Sequence, residues 1–169
     1  NIAIFISGTG SNAQRMMERF YRHDEIKVSC LVSTKPNEEI AKTCNRLNVN
    51  YIESSFSESE HDGILEQLDE LAIEWVVLAG FLKKIPRVIL GQFPRRIINL
   101  HPSLLPKFGG KGMYGMYVHR AVIEAKEKES GITIHYVNEN YDEGKIITQI
   151  KTPVHTSDDP TSLFERIQQ

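Results

Sequence analysis

Short apolar runs that alternate with helix-period segments constrain this chain more than any other feature. Residues 2–6, Ile-Ala-Ile-Phe-Ile, are apolar without a break, as in a strand covered on both faces. Ser7-Gly8-Thr9-Gly10-Ser11-Asn12 follows at once, and then Ala13, Met16, Met17 and Phe20 recur at helical spacing. The pattern repeats. Val28 to Ser33 reads as a second strand, and Ile40, Ala41, Cys44 and Leu47 mark a helix face. Val49 to Ile52 is a short third strand, and Ser54 to Glu60 reads as a solvated polar loop. Ile64, Leu65, Leu68, Leu71 and Ala72 mark another helix, and Trp75 to Phe81 a buried strand ending in a glycine turn. Strands that alternate with helices in this way imply a parallel sheet with right-handed crossovers, a mononucleotide-binding half of Rossmann type.

The first turn has the shape of an anion cradle. Glycines let the backbone approach a phosphate, and amides at a helix N-terminus attract it. Ser11 or Asn12 can cap the helix or donate to the anion. The dinucleotide fingerprint lacks its third glycine here, and no Gly-Lys-Ser/Thr follows, so a mononucleotide or sugar phosphate fits better. On this motif alone a plain strand-to-helix turn is an equal reading. Leu82-Lys83-Lys84-Ile85-Pro86 reads as a helix N-terminus with Pro86 in its first turn, continued by Val88 to Leu90 and stopped at Gly91.

Asn99-Leu100-His101-Pro102-Ser103-Leu104-Leu105-Pro106 carries the chemistry. It ends the strand-like run Arg96 to Leu100. Side chains alternate along a strand, so Asn99 and His101 face the same way. Pro102 cannot donate to a ladder and biases His101 toward extended backbone. The pair is displayed at a strand's carboxyl end, where open α/β sheets bind ligands. A carboxamide donates a neutral hydrogen bond, and an imidazole moves a proton near pH 7. Together they suit a carbonyl carbon that passes through a tetrahedral oxyanion. Ser103 has no evident base, so no covalent intermediate is implied.

Lys107 to Gly115 holds four of the eleven glycines and reads as a mobile loop beside that site. A lid and a tolerated surface insertion are both open readings. Val118, Ala121, Val122 and Ala125 give a helix on which His119 reads as structural or exposed. Gly131 to Val137 and Lys145 to Thr152 alternate in a β manner, and the short turn-rich link between them implies an antiparallel pair. That link carries Glu139, Asp142 and Glu143. One ionised carboxylate near His101 would favour imidazolium, and spacing does not select which. Asp158-Asp159-Pro160-Thr161 opens a last helix bearing Leu163, Phe164 and Ile167.

Composition removes several function classes. The 169 residues are 40% hydrophobic and 25% charged, ordinary for one folded domain. A net charge of -2 gives no sign of a nucleic-acid binder. No apolar run is long enough to span a membrane, and no leader is visible. Cys30 and Cys44 have no metal-like spacing and read as buried free thiols of a cytoplasmic protein. No metal site is expected. The first residue is not methionine, and the last helical pattern runs into Gln168-Gln169. Residues are therefore expected beyond both ends.

These pieces together resemble the folate-dependent phosphoribosylglycinamide formyltransferase family of purine biosynthesis. The matching stretches are Ile6 to Asn12, Val77 to Phe81, Asn99 to Pro106, Gly131 to Val137 and Asp142-Glu143-Gly144, in the family's order and spacing. The resemblance implies the formyltransferase fold: a Rossmann-like α/β fold with an open, mostly parallel twisted sheet, helices on both faces and an antiparallel pair in the C-terminal half. It implies one domain over residues 1–169, with a phosphate-binding half (1–91) and a catalytic and folate-binding half (92–169).

It also implies transfer of the formyl group of 10-formyltetrahydrofolate, as co-substrate, to the amine of N1-(5-phospho-D-ribosyl)glycinamide. It selects Asp142 from the loop carboxylates. Asn99, His101 and Asp142 would be catalytic. Asn99 would donate to the oxyanion, and His101, kept as imidazolium by Asp142, would stabilise it and shuttle a proton. Gly10, Ser11 and Asn12 would hold the ribose phosphate. Leu82, Lys83, Lys84, Ile85, Asn99, Asn138, Tyr141 and Asp142 would line the folate pocket, largely through backbone. The implied partners are these small molecules, with no nucleic acid and no membrane; monomer and homodimer both stay open. Two other readings are a formyltetrahydrofolate hydrolase, with water as acceptor, and a non-catalytic phosphoribosyl-binding module that needs only the turn at Gly10.

Overall fold

The computed structural model describes residues 1–168. The fold is α/β: seven strands form a mixed sheet, parallel for the most part and antiparallel at its C-terminal end. The chain divides into two compact units, Asn1–Ile98 and Asn99–Gln169.

The first unit begins with β1 (Ile2–Ile6), α1 (Ser11–Phe20), β2 (Val28–Ser33), α2 (Glu38–Leu47) and β3 (Asn50–Glu53). It continues with α3 (His61–Glu70), β4 (Trp75–Leu78) and α4 (Arg87–Gln92). β1 runs parallel to β2 on one side and to β4 on the other, and β3 lies outside β2. β1 is thus central in this unit, and Ala3, Ile4, Phe5 and Ile6 are 0% exposed. That is the physical reason for the unbroken apolar run: neither face of a central parallel strand meets water. Phe5 also packs edge-on against Phe56 and Phe81. Cys30 and Cys44 are free and buried. Burial pushes their thiols up to about 12 and about 11, out of the reactive range.

Expectations and structure part in three places here. Ser54 to Glu60 is not simply a solvated loop. Ser54 and Phe56 are buried, and residues 58–60 wind into a 3-10 turn closed by a capping box between Ser57 and Glu60. Hydrogen bonds from the Ser55 hydroxyl and from Ser57 hold the Glu60 carboxyl well below the usual range. Second, the helix near Pro86 starts later than its sequence suggests. Pro86 is the N-cap, extended at ψ 158°, and Leu82 to Ile85 lie outside the helix. Third, Gly91 does not end α4 but sits in its last turn.

The strand β5 (Ile97–His101) runs across the boundary, with Asn99, Leu100 and His101 in the second unit. That unit then holds α5 (Met116–Glu124), β6 (Glu129–Tyr136), β7 (Ile146–Pro153) and α6 (Pro160–Ile167). β6 and β7 are antiparallel, as the short link between them implies. Ile132 packs on a small core of Val122, Leu163 and Ile167. One face of β6 therefore serves packing. Thr133 and His135 alternate onto the other face.

Candidate active site

Three side chains of the second unit converge on the carboxylate of a fourth. Asn99 and His101, two residues apart on β5, arrive on the same face, as their spacing requires. Asp142 comes from the link between β6 and β7, where its backbone is left-handed at φ 57°. His135, from β6, is the third of the converging side chains. The Asn99 Nδ2 donates to Asp142 Oδ1 at 3.2 Å. His101 Nδ1 lies 3.5 Å from that oxygen, and so does His135 Nε2. His101 and His135 are 3% and 2% exposed.

The imidazole hydrogens follow from their partners, because a carbonyl oxygen only accepts. His101 Nε2 donates to the Phe108 carbonyl at 2.7 Å, so the neutral ring carries its hydrogen there and leaves Nδ1 unprotonated toward Asp142. His135 Nδ1 donates to the Tyr136 carbonyl at 2.9 Å. Its Nε2 then accepts from Asn99 Nδ2 at 3.1 Å. Both amide hydrogens of Asn99 are thus engaged, one on His135 and one on Asp142.

Charge states follow from burial and partners. Burial pushes the His101 pKa down, and this outweighs the upward pull of Asp142 and of the Phe108 carbonyl. Burial thus favours the neutral imidazole at His101. The sequence-based expectation of imidazolium counts the partner's charge, and the cost of burying the ring acts against it. For Asp142 burial pushes upward, but hydrogen bonding to the carboxylate, the Gly110 amide included, outweighs it and keeps the carboxyl below its ordinary range. The Gly110 N–H donates to Asp142 Oδ2 at 2.8 Å. A neutral ring with an open Nδ1 beside a standing carboxylate is a base whose protonated form is stabilised on arrival.

In the first unit the glycine-rich turn reaches α1 as its sequence suggests. Gly10 is left-handed at φ 78°, and a side chain there would come 3.0 Å from Ile6 Cδ1 and 3.1 Å from Ile40 Cδ1. Gly10 itself is the N-cap, and neither Ser11 nor Asn12 caps the helix. The turn is instead held by Asn37, whose Nδ2 donates to the carbonyls of Gly8 and Thr9 at 3.3 and 3.1 Å. Leu82, Lys83 and Lys84 are exposed, and the Leu82 amide donates to Ser7 Oγ at 3.0 Å. Ile85 is 4% exposed, so its side chain belongs to the core. In the second unit Asn138 accepts from the Asn140 amide at 2.9 Å, and Tyr141 is exposed.

A sequence profile of formyl transferases matches residues 1–169. The chain belongs to the formyl transferase family. It is 39% identical to the chloroplastic phosphoribosylglycinamide formyltransferase of Arabidopsis thaliana, over 98% of this chain and 59% of that protein. It thus spans well under two thirds of that relative's length. It is 34% identical to the phosphoribosylglycinamide formyltransferase of Haemophilus influenzae, over 93% of this chain and 74% of that one. Its backbone matches the crystal structure of the Bacillus halodurans phosphoribosylglycinamide formyltransferase with a TM-score of 0.87 at 31% identity, over 99% of this chain and 87% of that one.

Within this formyl transferase, three contributors to the cluster escaped the sequence reading: His135, the Phe108 carbonyl and the Gly110 amide. His135 had a findable signal, since the β alternation of residues 131–137 puts it on the face of Thr133 and away from Ile132. The two backbone groups had none. They depend on a turn in which Phe108 is left-handed at φ 56° and Gly110 at φ 94°.

Proposed function

We propose that this chain transfers the formyl group of 10-formyltetrahydrofolate to the amine of N1-(5-phospho-D-ribosyl)glycinamide in purine biosynthesis. The observation that carries the reading is the convergence of Asn99 and His101 on Asp142. Relatives bearing the name of that activity support it. The amine attacks the formyl carbon, a C–N bond forms, and the carbonyl oxygen becomes an oxyanion. Asn99 turns one of its two amide hydrogens onto that oxygen. His101 Nδ1 takes the proton from the attacking nitrogen, and the imidazolium pairs with Asp142. The same proton then goes to the folate nitrogen as its bond to the formyl carbon breaks.

Residues 1–91 supply phosphate binding, with Gly10, Ser11 and Asn12 presenting the start of α1. Residues 92–169 supply catalysis and folate binding. Leu82 to Ile85, Asn138 and Tyr141 are proposed folate contacts, made through backbone at Ile85. Among the described residues no helix is long and apolar enough to cross a membrane.

A spectrophotometric assay with a 10-formyl-folate analogue tests this. Folate product that forms only with the glycinamide ribonucleotide present is the expected result. Equal release without the amine would make the enzyme a hydrolase and overturn the reading.

A further inference from the structure

Resting on that reading, we propose that Thr133 and Gln149 are positioning residues for His101. Their side chains pin the turn from Ser103 to Lys107, and with it the Phe108 carbonyl that fixes the hydrogen on His101 Nε2. Thr133, on β6, is 0% exposed. Its hydroxyl donates to the Ser103 carbonyl at 2.6 Å and accepts from the Leu105 amide at 3.0 Å and from Gln149 Nε2 at 2.9 Å. One donor and two lone pairs are thereby all used. Gln149, on β7, spends its second amide hydrogen on the Leu105 carbonyl at 3.0 Å.

Residues 103–107 are irregular and have no ladder of their own to hold their backbone groups. Thr133 and Gln149 take that place, binding the Ser103 carbonyl and both polar groups of Leu105. Ser103 Oγ extends the clamp to the Lys107 carbonyl at 2.7 Å. The next residue is Phe108, left-handed at φ 56°, a conformation that a non-glycine residue keeps only when its surroundings impose it.

The consequence is chemical. A neutral imidazole has two tautomers. The Phe108 carbonyl selects the one with hydrogen on Nε2, which leaves Nδ1 open as the base. Were the turn to loosen, the hydrogen would redistribute to Nδ1, where Asp142 Oδ1 waits at 3.5 Å. The ring would then present the wrong nitrogen, and turnover would fall with binding unchanged.

The experiment is 15N NMR of the histidine rings above pH 7, with His101 assigned by its loss in His101→Gln, alongside steady-state kinetics. Wild type and Thr133→Ser should show a single Nε2–H tautomer and turnover within about twofold of each other. Thr133→Val should show a tautomer mixture and a kcat lower by about tenfold or more, with both KM values held within about twofold. Gln149→Met leaves the hydroxyl in place at an exposed strand position, and should move both readouts the same way by a smaller factor. A folded Thr133→Val with the wild-type tautomer and kcat would overturn the proposal. Should Thr133→Val fail to fold, an unchanged tautomer and kcat in Gln149→Met would do the same. A wild type without amine-dependent transfer would sink the proposed activity alone, because the tautomer is read without substrate.

Discussion

Asp142 is the residue on which the proposed chemistry turns. It receives Asn99 on Oδ1 and Gly110 on Oδ2, and faces the open nitrogen of His101. Asn99→Ala removes the proposed oxyanion donor and should lower kcat by about 10²- to 10³-fold with little change in substrate affinity, measured by steady-state kinetics. Near-normal turnover would remove Asn99 from that role. Asn99 and His101 were legible in the sequence because strand spacing and a following proline announce them. Asp142 was not separable by spacing from Glu139 and Glu143; the resemblance chose it, and the structure puts it against both partners. The burial that acts against a charged His101 was not legible, since a sequence reveals neighbours more readily than burial. His119 was expected to be structural or exposed, and it is buried at 1%, stacked edge-on against Phe164.

Among the elements, two connections set the geometry. Asn37 caps α2 through the Ile40 amide at 3.1 Å and holds the Gly8–Thr9 turn with its amide group. Asn37→Ala should cost about 1 kcal/mol of stability and raise KM for the phosphoribosyl substrate more than it lowers kcat. A melting curve and a substrate titration check the two halves of that statement. Gly144 follows the Asp142 loop, and a side chain there would overlap the Tyr136 carbonyl oxygen. Gly144→Ala must shift backbone to fit. The expected cost is on the order of 1–3 kcal/mol or more, together with lost turnover as Asp142 is displaced; a denaturant melt reads the first. The order of elements was legible throughout because periods of 2 and 3.6 are strong signals. What was not legible was local polar chemistry. The 3-10 turn at residues 58–60 and the N-cap role of Pro86 are decided by which serine reaches which carboxylate, and by where the chain stays extended.

For the molecule as a whole, buried neutral histidines make stability depend on pH. Burial lowers the pKa of both His101 and His119, so the folded state resists protons that the unfolded chain accepts near pH 6.5. The unfolded state then binds more protons, and stability falls as pH drops through and below about 6.5. Asp142, held below its ordinary value, adds stability that is present above about pH 4 and is lost as pH falls through its folded pKa. Thermal melts between about pH 8 and pH 5.5 should show Tm declining toward acid, and His119→Gln should flatten that decline. A Tm that stays level across the range would mean that folding leaves the ring pKa values unchanged and would contradict this. The most direct test of the central claim is single-turnover formyl transfer by His101→Ala beside wild type, with phosphoribosylglycinamide binding measured by calorimetry on both. The account predicts a rate lower by about 10²-fold or more with the dissociation constant nearly unchanged. Transfer at close to the wild-type rate would contradict it.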